Sequence, residues 1–464
     1  MNILRITFQE GIPKVQQIVE HLAAAIADGA LQPGAKLPAI REMTQALGVS
    51  KFTVIEALDR LRGRSLLTSR QGAGYFVARR CIGPNLPSPG NLQPHDVISV
   101  LRRSLITAQG ALRPGCGFLP ESWLASDAMR QAMRSTVRSS LLRVAEYGVP
   151  GGYLPLKQAL REKLASMGLS IPAEQIVTTS NTMQAIDMLM RLLIRPGDVV
   201  LLDDPCYFNF HANLALHGAR VVTIPRGPEG LDFNLLEKVL TDHKPRIYLT
   251  ASVLQNPTGL SFTPSQSFRL LQLAQQHQLH IIEDDLYSDI HSTPPPRLAA
   301  LAGLEAITYV SGFSKMLSAN ARVSFIAASP QLAADLTNLK LMSGGLTSEL
   351  LEQIVYRMLS EGHYGKHLQR VNLRLMESGL RVADWLKEAG CTLPYACEGG
   401  MFYWAQLPDG LDSEALSVAA LQLDLVLAPG TLFSQRPEAS RFVRFNIAHS
   451  DDRRVREKFM SLLA

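Results

Sequence analysis

The chain has 464 residues, of which 46% are hydrophobic and 19% charged, and its formal net charge is +5. This length exceeds what one hydrophobic core ordinarily organises, so two or three domains are expected, and the balanced composition excludes fibrous and intrinsically disordered proteins. The N-terminus lacks the apolar stretch of a signal peptide and no apolar run could span a bilayer, so we expect a cytoplasmic protein with no membrane partner.

The positive charge is concentrated at the N-terminal end. The first 80 residues contain 11 of the 46 Lys and Arg residues but only six of the 41 Asp and Glu residues, so they carry the whole excess. A basic segment joined to a neutral remainder indicates that this segment alone has a polyanionic partner.

Three short helices and a hairpin are predicted in the basic segment. Apolar residues at helical spacing predict helices from Val15 to Ile26 and from Ala39 to Ala46, and Ser50 can cap a third helix from Lys51 to about Arg62. Two apolar runs flank the glycine-rich sequence at 69–74 and predict a hairpin with a basic tip. Three helices and a hairpin form a winged helix-turn-helix, although a small helical interaction domain would show the same periodicity.

The motifs of this segment carry more information than its periodicity. Residues 29–38 (GALQPGAKLP), 47–51 (LGVSK) and 72–77 (GAGYFV) resemble the signature of GntR-type regulators, over about residues 12–78. The resemblance implies binding to double-stranded operator DNA through the polar face of the third helix. The residues it places at DNA are Arg41, Ser50, Lys51, Thr53 and, in the wing, Gly72. Phe52 could contact a thymine methyl group or simply pack, so base specificity stays open.

A change of composition marks the boundary of the N-terminal domain. Prolines and glycines are dense between residues 79 and 94, which prevents a helix and favours an extended, semi-rigid linker. We therefore expect a winged helix-turn-helix domain at residues 1–78 and a linker at 79–94. A large domain at 95–345 and a smaller C-terminal domain at 346–464 are expected to follow.

Apolar strands alternate with helical segments through most of the remaining chain. This alternation predicts an α/β fold with a mostly parallel sheet covered by helices on both faces. Ligands of such sheets bind at the carboxyl ends of the strands, where this chain places polar residues. The predicted strands are 175–179, 199–203, 220–224, 246–250, 280–284, 308–312 and 323–328, with 401–404, 425–428 and 442–447 in the smaller domain.

Lys315 is the residue around which a catalytic or sensing site is predicted. It follows a buried strand through the turn Gly312-Phe313-Ser314, and a lysine presented in this way can hold a carbonyl compound covalently, although most lysines are solvated surface charges. Residues at other strand ends supply what a pyridoxal phosphate (PLP) ring requires. They are hydroxyls and backbone N–H groups at a helix start near Ser180, an aromatic ring at Tyr207, an amide at Asn256 and a carboxylate at Asp284. Each also has a plain structural role, and only their combination favours a cofactor site.

This constellation resembles the fold-type I aminotransferases, and its fusion to a winged helix resembles the MocR-like subfamily of GntR regulators, over nearly the whole chain. The resemblance implies a PLP-dependent aminotransferase-like domain in which Lys315 forms the internal aldimine and Asp284 pairs with the ring nitrogen. It also implies that Asn256 and Tyr287 bind the ring hydroxyl and that Tyr207 stacks on the ring. The implied phosphate ligands are Ser180, Asn181, Thr182, Ser314 and Arg322.

Three further expectations follow from the same resemblance. Tyr147 looks like the tyrosine that reaches the phosphate of the other subunit, which predicts a homodimer. Arg444 looks like the arginine that clamps a substrate carboxylate, a task that suits the guanidinium fork, and a salt bridge at a strand edge is its structural alternative. Asn181 departs from the small residue common at that point in relatives, so the phosphate loop is expected to differ in shape.

The sequence therefore predicts a transcriptional regulator in which PLP, bound as an aldimine to a lysine, controls operator binding. An amino-compound effector can take part, and vitamin B6 or amino-compound metabolism is the expected target. A working PLP-dependent aminotransferase with an accessory N-terminal domain is the alternative, so enzymatic turnover is left open. A regulator whose pocket no longer binds PLP is a third. The five cysteines show no metal-ligand spacing, which predicts reduced thiols and no metal site.

Overall fold

The computed structural model describes residues 6, 8, 11–27, 30–32, 34–63, 66–70, 74–77, 111–139, 145–291, 293–395 and 399–463. They belong to two compact units, residues 1–91 and 92–464. The predicted linker and Gly72 lie outside the described residues, and the predicted domain boundaries stay predictions. Within the described ranges, none of the helices combines the length and the apolar character that crossing a membrane requires.

The N-terminal unit contains the three predicted helices and the predicted hairpin. Its elements are α1 (Lys14–Ala27), α2 (Ile40–Leu47), α3 (Lys51–Gly63), β1 (Leu67–Arg70) and β2 (Gly74–Val77). The two strands pair antiparallel, with Leu67 opposite Val77. Ile18, Met43 and Val54, one from each helix, are fully buried together. This core fixes the helices against each other in the winged helix-turn-helix arrangement that the sequence predicts.

An eight-stranded sheet forms the centre of the second unit. Its strands are β3 (Ile176–Thr179), β4 (Val199–Asp204), β5 (Arg220–Gly227), β6 (Gly230–Leu231), β7 (Ile247–Thr250), β8 (His280–Asp284), β9 (Ile307–Gly312) and β10 (Ser324–Ala327). Their order is β3-β10-β9-β8-β7-β4-β5-β6. β5, β4, β7, β8 and β9 run parallel, whereas β10 is antiparallel to both of its neighbours. All seven predicted strands are present, and the short β6 was not predicted.

Helices cover both faces of this sheet. Along β4 the side chain of Leu201 belongs to one hydrophobic cluster, and those of Val200 and Leu202 belong to the other. Successive strand residues point to opposite faces, so both faces of the sheet are buried. The helices are α4 (Ser126–Val137), α5 (Leu154–Ser166), α6 (Thr182–Leu193), α7 (Phe208–Leu216), α8 (Phe233–His243), α9 (Pro264–Gln276), α10 (Leu298–Ala302), α11 (Pro330–Ser343), α12 (Glu349–Ser360) and α13 (His363–Glu388).

The C-terminal part of this unit contains a smaller antiparallel sheet. Its elements are β11 (Phe402–Gln406), α14 (Ser413–Leu421), β12 (Ala428–Pro429), β13 (Phe442–Asn446), α15 (Ile447–Ser450) and α16 (Arg453–Leu463), with strand order β11-β13-β12. The strand predicted at 425–428 is shorter than expected. Instead, Leu425 lies opposite Leu112 in an isolated parallel bridge. The N–H of Val426 donates to the Leu112 carbonyl, and the N–H of Gly115 donates to the Val426 carbonyl, both at 2.9 Å.

We expect Gly152→Ala to destabilise the second unit more than Gly197→Ala. Both glycines have positive φ (109° and 92°), but a Cβ on Gly152 would lie 2.4 Å from Thr178 Oγ1, whereas one on Gly197 meets nothing within 4 Å. Backbone strain alone costs about 1 kcal/mol, and overpacking adds roughly 1 to 3 kcal/mol. Thermal unfolding of the full-length variants checks this. Equal losses of melting temperature would contradict the packing argument.

Candidate functional site

A cavity of about 180 Å³ gathers most of the predicted site residues. Nine of the eleven residues predicted around the cofactor line it, and they come from the ends of several parallel strands and from the start of α6. The lining members are Asn181, Thr182, Tyr207, Asn256, Asp284, Tyr287, Ser314, Lys315 and Arg322. Ser180 does not line the cavity, but it is the residue directly before Asn181, which does. Tyr147 is 92% exposed and does not line the cavity.

Lys315 is held in place by the segment that precedes α4. Its Nζ donates to the carbonyl oxygen of Gly117 at 3.1 Å and lies 4.1 Å from the ring centroid of Phe118. Burial, with a contribution from the nearby guanidinium of Arg444, lowers the pKa of Lys315 to about 8. A lower pKa leaves more of the amine unprotonated at neutral pH, which is what a nucleophilic lysine needs.

Asp284 is a buried acid at the end of β8. It is 8% exposed, and its Oδ1 has no hydrogen-bond partner within the described ranges. Burial and the neighbouring Asp285 raise the pKa of Asp284 to about 7, against an opposing effect of Lys315. By contrast, Asp285 Oδ2 accepts from Arg297 Nε at 3.0 Å and from the Tyr309 hydroxyl at 2.7 Å. Asp284 therefore suits a cationic partner such as a protonated ring nitrogen.

Two hydroxyls and an amide are available to donate within the cavity. Burial raises the pKa of both Tyr207 and Tyr287, so their hydroxyls keep their protons. Asn256 Oδ1 accepts from Arg444 Nη1 at 2.8 Å. Because a guanidinium only donates, the atom facing it must be the amide oxygen, which leaves the amide nitrogen of Asn256 to donate to an acceptor such as a phenolate.

Arg444 lies on the central strand of the smaller sheet and not at an edge. It is 3% exposed, and its Nη2 donates to the Gly115 carbonyl at 2.6 Å. The rings of Phe402 and Phe433 lie 4.4 and 4.8 Å from its guanidinium carbon. Among the described residues no carboxylate pairs with it, and its place on the central strand speaks against a salt bridge at a strand edge. Its protein partners are neutral acceptors that a carboxylate could replace.

Several groups that line the cavity are suited to an anion. α6 begins at Thr182, and the first N–H groups of a helix have no partner inside the helix. The buried Ser314 Oγ has no hydrogen-bond partner within the part of the chain that the structure describes. Arg322 also lines the cavity. Together with the unpartnered Asp284, these groups fit PLP, which carries a phosphate and a basic ring nitrogen.

A buried network that includes the cavity-lining residues Asp203 and Thr250 was missed by the sequence analysis. Asp203 Oδ2 accepts from Arg226 Nη1 at 3.2 Å and from Thr250 Oγ1 at 2.8 Å, and the hydroxyl of Tyr248 donates to Oδ1. Arg226 Nη1 also donates to the Ala251 carbonyl at 2.7 Å, at the start of the loop that carries Asn256. The sequence predicts Asp203 only as the last residue of a strand, and no motif indicates that Arg226 is buried beside it.

Family comparisons agree with this geometry. A family model described as aminotransferase class I and II matches residues 120–459. The chain belongs to this family. A second model, described as bacterial regulatory proteins of the gntR family, matches residues 14–77. The N-terminal unit is thus a GntR-type helix-turn-helix domain, and its fusion to an aminotransferase class I and II domain is the MocR-like arrangement that the sequence predicts.

Similar proteins include both regulators and an aminotransferase. The HTH-type transcriptional regulator YdcR of Escherichia coli is 29% identical over 94% of this chain and 95% of its own. The probable rhizopine catabolism regulatory protein MocR of Rhizobium meliloti is 30% identical over 81% of this chain and 79% of its own. The 2-aminoadipate transaminase of Thermus thermophilus is 29% identical over 79% of this chain and 92% of its own.

A solved structure supports the fold of the aminotransferase class I and II domain. The alpha-aminoadipate aminotransferase LysN of Thermus thermophilus, complexed with N-(5'-phosphopyridoxyl)-L-leucine, superposes with a TM-score of 0.70 at 28% identity. The match covers 79% of this chain and 95% of LysN. The predicted fold-type I aminotransferase fold is confirmed, and PLP is the cofactor that membership of the family implies.

The GntR-type domain exposes most of the residues predicted to contact DNA. Arg41 on α2 and Lys51 at the start of α3 are exposed. Ser50 Oγ accepts from the Thr53 N–H at 3.1 Å, so it caps α3 as predicted and holds the N-terminus of that helix. Phe52 is 85% exposed, so the alternative that it packs internally is wrong. Gly72 is not among the described residues.

We expect Asp284→Asn to stabilise the PLP-free protein in a pH-dependent way. The pKa of Asp284 is about 7 in the folded chain and 3.8 ordinarily. Ionisation of a carboxyl with a raised folded-state pKa destabilises the fold, and this loss is complete once the pH exceeds about 7. The variant removes the loss, so its melting temperature should exceed that of the wild type at about pH 8, by the equivalent of about 1 kcal/mol or more, and by less at about pH 5.5.

Asp285→Asn is the matched control for this measurement. This variant makes the same substitution at the next residue of the chain. It removes the carboxylate that pairs with the buried Arg297. Breaking a buried ion pair costs about 3 kcal/mol, so this variant should melt below the wild type. A loss of stability in both variants would show that Asp284 has a partner in the folded protein.

Proposed function

We propose that this protein is a PLP-responsive transcriptional regulator in which PLP held on Lys315 controls the affinity of the GntR-type domain for operator DNA. One observation carries the proposal. A GntR-type domain is joined, in one chain, to a cavity lined by nine residues predicted to bind PLP, in which a buried acid has no protein partner within the described ranges.

The residues of the chain would divide the binding of PLP between them. The neutral amine of Lys315 would supply the covalent attachment, and the carboxylate of Asp284 would accept a hydrogen bond from the protonated ring nitrogen. Tyr207 packs on the ring, while the Asn256 amide nitrogen and the Tyr287 hydroxyl donate to its oxygen. The N-terminus of α6, with Ser314, Arg322 and the neighbouring Ser180, holds the phosphate. PLP attached to a lysine supplies one reaction, the exchange of that bond for a bond to an amino compound.

Arg444 is the residue proposed to recognise the carboxylate of an amino-compound effector. In the structure without ligand, Arg444 donates to the carbonyl of Gly115, and Lys315 donates to the carbonyl of Gly117, two residues later. PLP attached to Lys315 and a carboxylate bound by Arg444 would therefore release the segment 115–117 from both side chains. A response at the operator requires that PLP or the effector bind two arrangements of the protein with different affinity, since equal affinity shifts nothing.

A homodimer in the cytoplasm is part of the proposal. Tyr147 is 92% exposed, and the neighbouring Val149 and Leu154 are also exposed, at 55% and 53%. Exposed apolar residues beside a tyrosine predicted to reach a second subunit support an interface between two copies. Operator DNA is the partner of each GntR-type domain. The regulated genes are expected to serve vitamin B6 or amino-compound metabolism, since PLP or an amino compound is the signal.

A working aminotransferase is the second candidate. It is supported by the similarity to a 2-aminoadipate transaminase and by the presence of every residue predicted for attachment and proton transfer. Turnover with a defined amino donor, together with weak and sequence-indifferent DNA binding, would favour it. A regulator needs attachment of PLP but no turnover, so the two candidates differ in measurable activities.

We expect PLP to change the affinity for an operator fragment in the wild type but not in Lys315→Ala. The fragment is taken from upstream of the gene, and apo and PLP-treated proteins are titrated at one fixed salt concentration. A difference of at least about fivefold in the wild type would give a coupling free energy in the usual range for allostery. The variant should keep the apo affinity and lose the visible absorbance of lysine-bound PLP.

Three other outcomes of that titration would contradict parts of the proposal. Visible absorbance that persists in Lys315→Ala would mean that another lysine holds PLP. Tight operator binding without a PLP effect would leave a regulator with a different signal. The absence of operator-specific binding would favour the aminotransferase.

We expect Arg41→Ala to weaken operator binding and to lower its dependence on salt. Removing one phosphate contact reduces the slope of log K against log salt by about one. Arg453→Ala is the control, because it removes an exposed arginine from α16 in the other unit. Unchanged affinity and slope in Arg41→Ala would remove this residue from the interface.

A further inference from the structure

The N-terminus of α6 is closed by side chains of its own turn. Asn181 Oδ1 accepts from the N–H of Gln184 at 3.0 Å, and the N–H of Ser180 donates to Gln184 Oε1 at 2.7 Å. Two of the amide donors in this turn are therefore satisfied internally. Asn181 also lines the cavity, beside Thr182.

The remaining donors are those that an anion would use. The N–H groups of Thr182 and Met183 have no hydrogen-bond partner within the described part of the chain, because the first residues of a helix lack one. A phosphate gains from such free N–H groups and from the helix dipole. At this turn a phosphate finds one free N–H group fewer than at an uncapped helix, because the N–H of Gln184 is already bonded. The Asn181 oxygen that occupies it is an acceptor and cannot donate to the phosphate.

We propose that Asn181, which the family resemblance implies as a phosphate ligand, instead competes with the phosphate of PLP for the N-terminus of α6 and thereby weakens the affinity of the cavity for PLP. The inference rests on the proposed function, because it assumes that the phosphate of PLP binds at the N-terminus of α6. A cap that is satisfied without ligand stabilises the PLP-free protein. Because the PLP-free protein is stabilised, PLP can bind and dissociate reversibly, as a sensor of PLP requires.

Two substitutions at this position change the competition in opposite directions. Asn181→Gly removes the side-chain oxygen and frees the N–H of Gln184, and glycine replaces a capping residue at little cost to the helix. Asn181→Asp keeps the size and the capping geometry but adds a negative charge, which stabilises the helix N-terminus and repels a dianion. Neither change touches the groups proposed to bind the ring.

Asp232 offers a matched control. It caps α8, where its Oδ1 accepts from the N–H groups of Asn234 and Leu235 at 3.0 and 3.1 Å, and it does not line the cavity. Asp232→Gly therefore removes a cap of the same kind at a distant helix.

The experiment compares PLP with pyridoxal, which lacks the phosphate, by titration of the full-length protein followed through visible absorbance. We expect Asn181→Gly to lower the Kd for PLP about three- to fivefold and Asn181→Asp to raise it about tenfold. The Kd for pyridoxal should stay within about twofold in both variants, and Asp232→Gly should change neither Kd. A purely structural cap would alter melting temperatures without altering the ratio of the two Kd values.

Failure of this inference is distinguishable from failure of the proposed function. If the wild type binds PLP through Lys315 and the ratio of Kd values is unchanged in both Asn181 variants, the competition is overturned and the proposed function stands. A rise of the Kd for PLP in Asn181→Gly would likewise overturn it, since Asn181 would then be a phosphate ligand. If the wild type does not bind PLP at all, both are overturned.

Discussion

Burying a carboxylate without a partner costs several kcal/mol, and the cavity of the second unit is arranged around one such group. Asp284 ends β8 with a buried oxygen that no described residue satisfies and with no ion pair among the described residues. Asp285 also has one unsatisfied oxygen, but its other oxygen and the carboxylate of Glu283 have partners. Glu283 accepts from the N–H groups of Leu298 and Ala299 at 2.8 and 2.9 Å, and Asp285 pairs with Arg297. Three consecutive acids thus occupy a buried strand end, and Asp284 is the one of the three that lines the cavity. A cationic ring nitrogen recovers the free energy that the apo protein loses there.

The same cavity serves a sensor and an enzyme equally well, which is why its residues do not decide between them. Attachment of PLP requires a lysine of lowered pKa, a partner for the ring nitrogen and a site for the phosphate, and both functions share these requirements. The distinction lies in how strongly PLP is retained and in what moves when it binds. The internal cap at α6 and the hydrogen bonds from Lys315 and Arg444 to the segment 115–117 bear on those two questions.

The strands of the large sheet and most of the cavity-lining site residues could be predicted from the sequence. Apolar runs mark buried strands, and the parallel arrangement brings their carboxyl ends to one edge, so Asn256, Asp284 and Lys315 could be placed together before any coordinates were known. Contacts that depend on distant pairing could not be predicted. Arg226 has the composition of a surface residue but lies fully buried against Asp203, and Leu425 pairs with Leu112, more than 300 residues earlier. The cap formed by Asn181 depends on a side-chain rotamer, for which sequence spacing gives no signal.

The reversal of strand direction at β10 brings Lys315 and Arg322 to the same cavity. Because β10 runs antiparallel beside β9, the connection at residues 313–323 leaves and re-enters the sheet at the same edge. Lys315 near its beginning and Arg322 near its end are consequently presented to one cavity. A crossover to a parallel strand would have returned the chain at the opposite edge. The proposed covalent anchor and one proposed phosphate contact are therefore carried by a single short loop, and a length change within it would displace both together. The cap at α6 lies on a separate connection, so affinity for the phosphate can evolve there without moving the lysine.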